Sequence, residues 1–140
     1  MEYLVLAAWI VQGSVGVWLL IGWARHGRRY AGAMIAHVAA VFVMLALWIT
    51  FLVTGAVAFA WAAQIVLAAG IPFGETMMVR RSRELRGITT KRLSDYGGAV
   101  VDVFRGRLPG PVVFHALFAG VVFFSALGVC IGATISAAAQ

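Results

Sequence analysis

Two histidines and one carboxylate lie at the edges of long apolar stretches of this chain: His37, His115 and Glu75. An imidazole nitrogen is a natural axial ligand for haem iron, and two imidazoles with a carboxylate suit Zn, Fe or Mn. Both histidines fall close to the start of their apolar stretches. At ~1.5 Å per residue each lies ~6–9 Å inside the same boundary. Two histidines at matched depth on co-directional helices can face each other across a bundle, as two axial ligands of one haem b must. His37 shares a helical stripe with Ala33, Ala40, Met44 and Trp48. His115 shares one with Ala119, Val122, Ala126 and Ala133. Such small-residue faces admit a flat macrocycle or a close helix neighbour, and each histidine can equally serve as a hydrogen-bonding strut between helices.

Glu75 has three readings. It can orient a ligating imidazole, complete a metal site with His37 and His115, or pair with Arg80, Arg25 or Arg28. Two amides, Gln12 and Gln64, fall deeper in the apolar stretches. They can hold a quinone carbonyl or a polar substrate, or bond neighbouring helices. Met34, His37 and Met44 share a stripe that would suit Cu(I) only with further soft ligands from other helices. No sequence motif for hydrolase or transferase chemistry is present, so no catalytic residue is assigned and electron transfer is the most the sequence offers.

The elements that position these groups follow from the distribution of charge. All 11 lysines and arginines fall in two windows, Arg25 to Arg29 and Arg80 to Arg107, within a chain of 140 residues that is 63% hydrophobic. A spanning helix needs roughly 20 apolar residues. Residues 3–24 supply one span and 111–135 another, while 31–73 run for 43 residues without an Asp, Glu, Lys or Arg. That run is about twice one crossing, so it must fold back, and Thr54-Gly55 is the best turn. The reading is an all-α integral membrane protein, a single domain over 1–140, with four transmembrane helices at about 3–24, 31–53, 56–79 and 111–135. Helix 1 reads as a retained span, because an acidic residue precedes it and no basic leader does.

With four spans, both basic windows lie on one side. The positive-inside rule places that side in the cytoplasm and both termini outside. The Arg- and Ala-rich composition suggests a bacterial inner membrane. A net charge of +6 is explained by basic loops beside anionic headgroups, with no need for nucleic acid. Cys130 is the single cysteine, so the chain holds no internal disulfide.

Residues 80–110 form a basic loop. Helix 3 should run on through Arg86 and stop near Gly87. Ser94 should cap a short interfacial helix to Phe104, with Tyr96, Val100, Val103 and Phe104 toward the membrane and Asp95, Asp102 and Arg105 toward water. Trp9-x-x-Gln12 and Trp61-x-x-Gln64, with His37 and His115, fit a parallel 2+2 repeat.

Three functions follow as expectations. One is a b-type cytochrome-like redox protein, with haem between His37 and His115, acidic haem edges met by Arg28, Arg29, Arg105 and Arg107, and a quinone or partner subunit exchanging electrons. The second is an accessory subunit of a larger membrane complex or homo-oligomer. The third is a small oligomeric transporter.

Overall fold

The computed structural model describes residues 1–26, 28 and 30–139. Five helices follow in order: α1 (Glu2–Arg25), α2 (Ala31–Thr54), α3 (Val57–Leu85), α4 (Ser94–Phe104) and α5 (Gly110–Ala138). All but α4 are long and apolar enough to cross a membrane. The protein is therefore an all-α, four-helix, multi-pass membrane bundle with one short extra helix.

The turns sit where backbone chemistry demands. Gly55 ends α2 in the left-handed region at φ 70°, which glycine adopts without penalty. Gly87 does the same after α3, at φ 66°. Tyr30 differs, because it caps the start of α2 at φ 59°, where a side chain costs about 1–2 kcal/mol. α3 continues unbroken through Pro72 and carries its basic last turns beyond the apolar part of the helix.

The helix pairs alternate in direction. The Trp48 indole donates to the Glu2 carbonyl, joining the end of α2 to the start of α1. Trp61 donates to the Thr134 hydroxyl, joining the start of α3 to the end of α5. Both termini accordingly lie at the end opposite the arginine-rich connections. α2 packs closely along α3, and α5 packs on both α1 and α3. Among the described residues no Cα of α2 comes within 8 Å of α5, so these two stand diagonally.

The core lies toward the terminal end. Trp9 meets Trp48 edge to face at 4.6 Å, and Trp48 meets Phe51 at 5.3 Å. Ala60, Ala63, Val122, Ala126 and Cys130 close around them. Lipid is as apolar as these side chains, so close packing rather than escape from water holds such a core. Large apolar residues such as Val53, Phe42 and Phe124 remain outward and suit contact with lipid.

α4 turns its carboxylates inward rather than toward water. Its buried face holds Asp95, Ala99, Asp102 and Val103, while Leu93, Tyr96, Val101 and Phe104 face outward. The acidic face is turned onto α3 because cations wait there. Arg83 pairs with Asp95 at 3.2 Å, and Arg86 with Asp102 at 3.3 Å. Ser82 donates to Asp102 at 2.7 Å, and Arg107 pairs with it at 3.3 Å. These bonds, the Ser82 hydroxyl first, hold the Asp102 carboxyl below its ordinary pKa. Gly98 is the reason Arg86 can lie across the helix, since a Cβ there would collide with the guanidinium. Ser94 makes no side-chain cap. Leu93 is the cap residue, and the Asp95 carboxylate accepts from the Arg92 amide at 2.9 Å.

Candidate functional site

His37 enters from the second turn of α2, and His115 from the second turn of α5. Their rings meet across the bundle with centroids 6.3 Å apart and planes at 75°. Both are half-buried. The matched depth expected from the chain is therefore the arrangement found.

Each ring rests against a glycine. A Cβ at Gly74 of α3 would lie 2.9 Å from Cε1 of His37, and one at Gly16 of α1 would lie 3.3 Å from Cε1 of His115. A Cβ at Gly70 would lie 2.8 Å from that of Ala40, so α2 and α3 can approach only because Gly70 is bare. The sequence signal for this is the small-xxx-small spacing Gly70-x-x-x-Gly74, which marks close helix contacts.

Hydrogen bonds orient the pair unequally. His37 Nδ1 bonds the Gly70 carbonyl at 3.1 Å. The tautomer that donates there keeps its lone pair on Nε2, free to ligate. The Gln12 side-chain amide donates to the His115 carbonyl at 2.8 Å and ties α5 to α1 at His115. His115 Nδ1 is buried without a hydrogen-bond partner among the described residues. A buried ring nitrogen is ordinarily paired.

The remaining expected residues scatter. Glu75 does not join the histidines. Its carboxylate accepts from the Tyr96 hydroxyl of α4 at 2.8 Å, which raises the Tyr96 pKa. No group of three His, Cys, Asp or Glu side chains able to hold a metal exists among the described residues. The site of His37, His115 and Glu75 is thus not assembled, because Glu75 points toward α4. Nor does Glu75 pair with Arg80, Arg25 or Arg28; Arg80 bonds Glu84 instead. Met44 is packed in the core beside the tryptophans.

Gln64 is buried on α3, and neither its oxygen nor its nitrogen has a partner among the described residues. Gln12, by contrast, bonds a neighbouring helix as expected, through the His115 carbonyl of α5. Of the arginines expected at an acidic cofactor edge, Arg107 is engaged by Asp102. Arg28 and Arg105 are exposed. Arg29 lies outside the described residues.

The chain matches no protein-family model, no curated protein and no solved structure. The fold and site define a class, a four-helix membrane bundle with a facing histidine pair near its basic end. The reading of that pair rests on its own chemistry.

Proposed function

We propose that the protein is a small b-type cytochrome-like membrane protein that binds one haem between His37 and His115, at the side of the membrane where its basic connections lie. One observation carries this reading: the 6.3 Å separation of the two rings. Two imidazoles on opposite sides of one metal ion, each bonded at about 2.0–2.1 Å, place their ring centres roughly 6 Å apart. The donor set suits haem iron, and the helices bearing it stand diagonally, free of backbone contact with each other.

The protein's own residues would do four things. His37 and His115 would supply the two imidazole nitrogens that hold the iron. The Gly70 carbonyl would hold the His37 ring in the ligating tautomer. Gln12 would fix the backbone of α5 at His115. Gly16 and Gly74 would give the rings room that any Cβ would take. Bound haem supplies one-electron redox chemistry, with potential tuned by these ligands and their hydrogen bonds. Arg28 and Arg105, exposed near the same end, would offer cations to the acidic edge. A quinone or a partner subunit would exchange the electron. With the basic side cytoplasmic, as the positive-inside rule has it, that exchange would occur at the inner face of a bacterial inner membrane.

The test is the absorption spectrum of protein purified after haem-replete expression. A Soret band and sharp reduced α and β bands are expected. His37→Ala and His115→Ala should each abolish the six-coordinate spectrum while the protein remains helical. A colourless wild-type protein without iron would sink the reading and favour an accessory subunit.

A further inference from the structure

A cavity of about 280 Å³ opens at the basic end, bounded by Tyr30, the last turns of α3 and the segment leading into α4. It lies outside the histidine pair, and its two ends differ in chemistry. Pro72, Thr76 and Val79 line one end, within the apolar part of α3. Arg83, Lys91 and Arg92 line the other. Pro72 and Arg83 are 11 residues apart, about 16 Å along the helix, close to half the roughly 30 Å hydrocarbon thickness of a bilayer. The cavity grades from apolar to cationic along the direction in which a lipid leaflet does.

Four cations and two carboxylates face this space. Both carboxylates are already engaged. Asp95 pairs with Arg83, and Glu75 takes the Tyr96 hydroxyl. Arg80 bonds Glu84. Lys91 and Arg92 have no ion-pair partner among the described residues. Lys91 Nζ stands 5.8 Å above the Tyr30 ring, and the Arg80 guanidinium 4.7 Å from it. Both cations meet the Tyr30 ring, so the start of α2 is tied to the cavity wall.

We infer that this cavity binds an anionic phospholipid, with the phosphate headgroup on Lys91 and Arg92 and an acyl chain along Pro72, Thr76 and Val79. Two unpaired cations at a membrane boundary attract phosphate, and a phosphate requires no exact donor geometry from a flexible lysine. Free phosphate shares the headgroup chemistry but has no use for the apolar end.

Native mass spectrometry of the full-length protein from mixed phosphatidylglycerol and phosphatidylcholine micelles tests this. Retained phosphatidylglycerol should exceed phosphatidylcholine. Lys91→Gln with Arg92→Gln should weaken retention about thirtyfold, the effect of losing two charges near a surface. The charge-matched pair Arg25→Gln and Arg81→Gln, away from the cavity, should retain it, as should Lys91→Arg with Arg92→Lys. Thr76→Trp should displace the lipid by filling the apolar end. Equal loss in both neutralised pairs would overturn the proposal, because it would show general attraction rather than a site. Displacement of the lipid by millimolar inorganic phosphate, or retention unchanged by Thr76→Trp, would overturn it in favour of a free anion.

Discussion

Gly74 and Gly70 decide how closely α2 and α3 can approach around His37. Their substitution tests the histidine geometry without touching a ligand. Gly70→Ala brings a methyl within 2.8 Å of Ala40 Cβ, and small rigid groups cannot yield. Overpacking of this kind costs about 1–3 kcal/mol, so thermal unfolding in detergent should fall by several degrees. Gly74→Ala brings a methyl to 2.9 Å from the His37 ring. The imidazole must rotate or retreat. If the histidine pair holds haem as proposed, the variant should fold but lose the six-coordinate haem spectrum. Gly16→Ala, at 3.3 Å from His115, should shift the spectrum less. If both alanine variants kept the wild-type spectrum, the two rings would not be positioned by the helices that flank them.

At the scale of elements, α4 is the part most sensitive to charge. Its seat on α3 depends on Asp102, whose carboxyl Ser82, Arg107 and Arg86 hold below the ordinary range. The folded pKa is depressed, so its contribution is fully present above the unfolded value of about 4 and is lost as pH falls through the folded value. Amide exchange of α4, relative to the intrinsic rate at each pH, should therefore be steady from pH 8 to about 5 and rise under strongly acidic conditions, while α2 and α5 hold. Asp102→Asn should raise that exchange at neutral pH, because it leaves Arg86 without its anion. Exchange in α4 unaffected by both acid and Asp102→Asn would show that Ala99 and Val103 alone seat the helix.

At the scale of the molecule, the termini and the arginine-rich connections occupy opposite ends. On the positive-inside rule the basic end would be cytoplasmic, which labelling can test. Cys130 is buried, so replacing it by alanine gives a background for single cysteines. Ala56→Cys, in the exposed α2–α3 turn, should react with an impermeant maleimide in intact cells. Thr90→Cys, exposed in the basic connection, should react only after permeabilisation. The reverse pattern would invert the topology and move the histidine pair to the outer face.

The chain by itself determined the four spans, the turn at Gly55, the extent of α3 to its glycine stop and the shared depth of His37 and His115. Each is a local property. Bilayer thickness counts apolar residues, glycine alone enters a left-handed turn freely, and helical rise converts position into depth. Only the tertiary structure decided which faces meet. The period of α4 marked two faces but not which one is covered, and the arginines of α3 drew the acidic face inward against the usual sorting of charge to water. Glu75 follows Gly70, Pro72 and Gly74 in α3, and its partner proved to be Tyr96, 21 residues away on another helix. The 6.3 Å meeting of His37 and His115 depends on the pairing of α1 with α5 and of α2 with α3. In a bilayer every lipid-like face is equally at home against lipid or protein, so helix pairing is settled by close fit between faces, and that fit is a property of two surfaces together.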